Sequence, residues 1–204
     1  MPGTPSANVI IVDPVLAFHA GIRAYLAHGG YHVVGEAQDP ADALRQLKRL
    51  HPDLAIIGPH LAEHESLALC RELVAQQRDL KVILISEQWR DPLFLIDAAY
   101  SWASACLRRR VSREDFLSAI NAVLAGHTLF PPDILAQAFQ PIDMSARERE
   151  VLGLMVEGKP YREIAAALVI QHRTARNHAQ RILGKLGVHS RREAMRRACR
   201  RGWV

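Results

Sequence analysis

Between Arg173 and Lys185 the chain reads RTARNHAQRILGK. Arg173, Arg176, Asn177, Gln180, Arg181 and Lys185 recur at helical spacing and fall largely on one side of a helix. An arginine can grip guanine through two parallel hydrogen bonds, and an asparagine can do the same for adenine. Lys and Arg also neutralise phosphates wherever they reach them. The chemistry on offer is the reading of a nucleic-acid duplex. On the other side Ile182, Leu183 and Leu186, with Ala175 and Ala179, make an apolar stripe that must face a core. A charged solvent face on a small helical bundle has the same pattern, so spacing alone leaves both readings open.

A second set of residues stands where short apolar runs stop. NVIIVD (8–13), YHVVGEA (31–37), DLAIIG (53–58), KVILIS (81–86) and SACL (104–107) read as strands rich in Val and Ile. Between and after them lie the helical stretches 18–28, 40–50, 65–76, 92–100 and 112–126. Strand and helix alternating in this way predict a parallel sheet covered by helices on both faces. Such sheets carry their working groups at the carboxyl ends of the strands, here Asp13, Ala37, Gly58, Ser86 and Leu107. The third strand delivers a glycine to the rim, a residue with no side chain to work with.

Composition sets the frame. The chain has 204 residues, 49% hydrophobic and 23% charged, enough for two small domains with real cores. Charge is uneven: from Asp143 onward there are 14 basic and 6 acidic residues, a net of +8, against −3 for the residues before it. A basic segment of that size beside a mildly acidic one suits a polyanionic partner. No long uninterrupted apolar run suggests a membrane span. MPGTPSAN has neither the basic flank nor the apolar stretch of a secretory signal. Cys70, Cys106 and Cys199 are widely spaced and form no CxxC, which fits a reducing compartment, expected to be the cytoplasm.

Residues 126–142 contain three prolines and read as a linker with a short helix near 132–139. From Asp143 the pattern is helical only. SARE (145–148) has the form of a capping box, and helices are expected up to Gly158, over 161–169, over 174–187 and over 189–202. The expected domains are 1–125, the linker 126–142, and 143–204.

Two short helices joined by a tight turn, the second basic, make a helix-turn-helix. The stretch MSAREREVLGLMVEGKPYREIAAALVIQHRTARNHAQRILGKLGVHSRREA resembles the LuxR-type helix-turn-helix domain throughout. Arg147–Leu152, Glu157–Gly158, Glu163–Ala165, Thr174, Arg176–His178, Lys185–Val188 and Glu193–Ala194 all match the family pattern. Gln171 departs from it, standing where the family usually places a Ser N-cap. The resemblance implies that the helix at 174–186 enters the major groove of double-stranded DNA and that the last helix forms a dimer contact. Arg176 and Asn177 are then expected on base edges, with Arg173, Thr174, His178, Arg181 and Lys185 mainly on phosphates.

The five-fold alternation followed by this domain resembles NarL/FixJ-type response regulators. VD (12–13), Phe18, Gly21, Arg23, VVGEA (33–37), PD (52–53) and AS (103–104) support the likeness. It implies an α/β plus all-α chain: a flavodoxin-like (βα)5 receiver domain, then a four-helix DNA-binding domain. Working receivers use an acceptor aspartate after the third strand and two acids after the first to hold Mg²⁺. They also use a Ser or Thr after the fourth strand and a Lys after the fifth. Here Asp13 and Ser86 fit, but Pro14, Gly58 and Arg109 stand at the second acid, the acceptor and the Lys. Asp53 is expected at the far end of the sheet, with Glu63 and Glu65 beyond the loop, and none is expected to substitute. Mg²⁺ binding is not expected, nor any other cofactor or metal, and His60 and His64 are read as scattered surface histidines.

Phe94, Tyr100 and Trp102 suggest either local packing in the core or a dimer surface near the fourth helix, Trp102 replacing a family glycine. The resulting expectation is a homodimeric, non-enzymatic DNA-binding transcription regulator that is not switched by aspartyl phosphorylation. A constitutive dimer, a small-molecule effector in the vacated pocket, or a regulatory partner protein would replace that switch. The alternatives are a non-DNA adaptor using its basic tail, or a conventional phosphorelay output.

Overall fold

A computed structural model describes residues 6–203. They divide into two compact units, one ending at Phe139 and the other beginning at Gln140.

The first unit is a five-stranded parallel sheet in the order β2-β1-β3-β4-β5. Its strands are β1 (Asn8–Val12), β2 (His32–Ala37), β3 (Leu54–Ile57), β4 (Lys81–Ser86) and β5 (Ala105–Arg108). The helices between and after them are α1 (Leu16–Ala27), α2 (Pro40–Leu50), α3 (Glu63–Gln76), α4 (Pro92–Tyr100) and α5 (Arg113–Leu124). Side chains alternate between faces with period two, so one run of Ile and Val feeds two cores. Ile10, Val12, Ala55, Ile57, Val82 and Leu84 pack with α2, α3 and α4. Val9, Ile11, Leu54, Ile56, Ile83 and Ile85 meet Ile22 and Leu26 of α1 and Phe116, Ile120 and Val123 of α5. β3 is buried along its whole length.

Asp39, Asp91 and Ser112 accept backbone N–H bonds at the starts of α2, α4 and α5. Each satisfies a donor that the helix cannot satisfy itself. The stretch expected as a linker behaves differently in its first part. Leu129 N–H bonds to the Ser104 carbonyl at 2.8 Å, and α6 (Pro132–Phe139) packs on α4. Ile134 and Ala138 of α6 enter the same core as Phe94 and Ile96. Residues 126–139 thus belong to the first unit.

That packing puts Phe94 and Tyr100 in the core and not on a dimer surface. Phe94 is 1% exposed, held between the sheet and α6, and Tyr100 is half-buried against the same core. Trp102 alone of the three is open, at 61% exposure, and its ring meets that of exposed Phe139 at a tilt of 49°, with centroids 5.4 Å apart. Its φ of +65° explains why a glycine suits this position.

The second unit holds α7 (Ala146–Val156), α8 (Tyr161–Ala167), α9 (His172–Leu186) and α10 (Arg191–Arg200). Ser145 and Glu148 form the capping box, Ser145 N–H donating to Glu148 Oε2 at 2.8 Å and Glu148 N–H to Ser145 Oγ at 3.2 Å. Arg191 donates to the carbonyls of Lys159 and Met155, tying α10 to the end of α7. Among the described residues no helix is long and apolar enough to cross a membrane.

Candidate functional site

α9 is the element on which the basic side chains sit. Ala175, Ala179, Ile182 and Leu186 are buried, pinning one side of the helix against α7 and α8. The opposite side therefore has to face solvent. His172, Arg173, Arg176, Asn177, Gln180 and Arg181 line one open surface depression there, all six exposed. A cation and an amide at neighbouring positions can address base edges while flanking cations meet phosphates. Gln171 starts the helix without a side-chain cap, so the first-turn N–H groups point outward unclaimed by it.

Three of the expected DNA contacts lie outside this depression. Thr174 and His178 are half-buried on its flank, and His178 Nδ1 has no hydrogen-bond partner. Lys185 is a correction. It lies about two and a half helical turns beyond Arg176, which carries it to the far flank of α9. There Nζ donates to Glu148 Oε2 at 2.8 Å and to the Asp143 carbonyl at 2.6 Å. Glu148 is 4% exposed. The Lys185 hydrogen bond and the Ser145 N–H hold its carboxyl at about 2, well below the usual range. Lys185 is a clamp between α7 and α9. His172 and Gln180 complete the exposed face and carried no assigned role in the sequence, although helical spacing places both there.

At the sheet rim Gly58 follows β3 and its N–H bonds to the Val12 carbonyl at 2.8 Å. Asp13, 0% exposed, lies beside it. Its carboxylate accepts from Val15 N–H at 2.8 Å and from His60 N–H at 3.1 Å. It also accepts from His60 Nδ1, at 2.9 and 3.0 Å to its two oxygens. A carboxylate only accepts, so Nδ1 carries the proton. His60 is therefore no scattered surface residue; its side chain is 27% exposed and clasps the buried acid. Ser86 Oγ accepts from Gln88 N–H at 3.0 Å, and Arg109 pairs with Glu87 at 3.5 Å near the end of β5. Asp53 sits at the opposite end of β3, where it accepts from Asn8 N–H at 2.8 Å.

These residues do not fit Mg²⁺. The ion needs near-octahedral oxygen ligands, whereas Asp13 is already occupied by three donor groups and Pro14 and Gly58 offer no side-chain oxygen. Among the described residues no three His, Cys, Asp or Glu are placed to hold a metal.

Residues 9–121 match the family model described as the response regulator receiver domain, and residues 143–198 match bacterial regulatory proteins of the luxR family. The transcriptional regulatory protein DesR of Bacillus subtilis is 30% identical over 84% of this chain and 85% of its own. The DNA-binding transcriptional activator DevR/DosR of Mycobacterium tuberculosis is 28% identical over 92% and 91%. Among solved structures, RcsB from Salmonella enterica serovar Typhimurium, bound to a promoter with the phosphomimetic BeF3⁻, has a TM-score of 0.73. It is 22% identical, with 96% of this chain and 98% of that chain covered, a likeness of fold.

These matches overturn the expectation of a regulator outside phosphoryl control. Residues 9–121 match the response regulator receiver family, and most of the chain aligns with curated transcriptional regulators. The phosphorelay alternative fits them better, and Gly58 shows only that the usual carboxylate is not the acceptor. The chain belongs to the response regulator family, with a receiver domain followed by a luxR-type helix-turn-helix domain.

Proposed function

We propose that the protein is the output component of a phosphorelay, a transcription regulator that binds specific double-stranded DNA as a homodimer in the bacterial cytoplasm. The observation that carries this reading is the exposed face of α9, where Arg173, Arg176, Asn177, Gln180 and Arg181 stand together on one surface. Arg176 and Asn177 reach base edges. Arg173, Arg181 and the Thr174 hydroxyl hold phosphates and set the register. Two-fold symmetry then places half-sites about one helical turn apart.

Selection of bound duplexes from a randomised pool, using the full chain, tests this. The expected product is an inverted repeat with that spacing. A pool that stays unenriched while the protein binds an acidic protein partner would favour the adaptor reading instead.

A further inference from the structure

The receiver rim lacks a carboxylate at Gly58 but presents a different nucleophile. Asp13 is fully buried and fixes His60 in the Nδ1–H tautomer, which leaves the lone pair on Nε2. Among the described residues Nε2 has no hydrogen-bond partner, and the ring meets Phe18 edge-on with centroids 6.1 Å apart. A base or nucleophile oriented by a buried acid through its second ring nitrogen is an activated group.

The glycine is part of the same arrangement. A Cβ on residue 58 would stand 2.1 Å from Asp13 Oδ2 and 2.7 Å from the Phe18 ring. An acceptor side chain at 58 and the Asp13–His60 pair therefore exclude one another in this geometry. The loop after β3 brings His60 to the rim beside the site that the missing carboxylate would have occupied.

We propose that His60 Nε2 accepts a phosphoryl group from an acyl phosphate, making it the modification site of this receiver. The inference rests on the phosphorelay reading above. Nε2 donates its lone pair to phosphorus, the phosphorus–oxygen bond to the acyl group breaks, and the carboxylate leaves with that electron pair. The ring becomes a phosphoimidazolium whose Nδ1 proton stays in the hydrogen bond to Asp13. Asp13 is a positioning residue: it sets the tautomer and balances the positive ring.

The test is to incubate the full chain with acetyl phosphate and follow intact mass, then map the site by fragmentation. The expected result is one phosphoryl group on His60, released by acid but stable to alkali and to neutral hydroxylamine. His60→Gln abolishes it. Asp13→Asn slows it on the order of a hundredfold and mixes the imidazole tautomers seen by ¹⁵N NMR. The wild-type lability pattern needs no variant to fold. A hydroxylamine-labile adduct on a carboxylate overturns His60 and leaves the phosphorelay reading standing. A phosphoryl group on another histidine also overturns His60, and the absence of any adduct overturns both the acceptor and phosphoryl control.

Discussion

A β-carbon on Gly58 would meet Oδ2 of Asp13 at 2.1 Å. The missing side chain of one residue is the space in which the other's carboxylate lies. Asp13 is held there by Val15 N–H, His60 N–H and His60 Nδ1, so it cannot swing aside without losing bonds in a buried site.

Gly58→Ala should therefore destabilise the first unit by about 1–3 kcal/mol, the usual cost of forcing atoms into a packed interior. Chemical denaturation monitored by circular dichroism measures it. An unchanged midpoint would mean that Asp13 moves freely, against the arrangement described.

Much of this architecture was legible beforehand. Continuous apolar runs such as NVIIVD, with amphipathic helices between them, point to a parallel sheet because strands covered by helices are buried on both faces. The exposed side of α9 was readable for the same reason, since Ala175, Ala179, Ile182 and Leu186 commit the opposite side to the core. What escaped were contacts between residues remote in sequence. His60 and Asp13 are 47 positions apart, and nothing local marks them as a pair. Lys185 lies 37 positions from Glu148, and its charge counted toward DNA until the fold showed which flank it occupies. The short helix expected near 132–139 is present as α6, Pro132–Phe139, but nothing local to it signals that it packs on α4 as part of the first unit.

The Glu148–Lys185 clamp predicts a pH dependence. The folded carboxyl is held at about 2, below its unfolded value of ~4.3, so its contribution is complete above about pH 5. It is lost as pH falls toward 2. Glu148→Gln should lower the melting temperature by a constant amount above pH 5, and by progressively less in more acidic buffers. A difference that does not shrink on acidification would show that Lys185 and Ser145 do not select the ionised form.

Val169 stands in the turn between α8 and α9 with φ of +52° and 91% exposure. A β-branched residue is poorly suited to the left-handed region, while asparagine visits it readily. Because Val169 is open to solvent, the exchange sacrifices little packing. Val169→Asn should stabilise the second unit by about 1 kcal/mol, read as a rise in its melting temperature. A fall would mean that the side chain makes a contact worth more than the strain.

The most direct test is of α9 as a reader of bases. Fluorescence-anisotropy titrations would compare wild type and Arg176→Ala on a selected duplex and on a scrambled one, over a series of salt concentrations. Binding to both duplexes by wild type should weaken steeply with salt, as counterion release requires. Arg176→Ala should cost about 1–3 kcal/mol on the selected duplex and markedly less on the scrambled one. Equal losses on the two duplexes would reduce Arg176 to a phosphate contact, and a wild-type protein that ignores sequence would contradict the account outright.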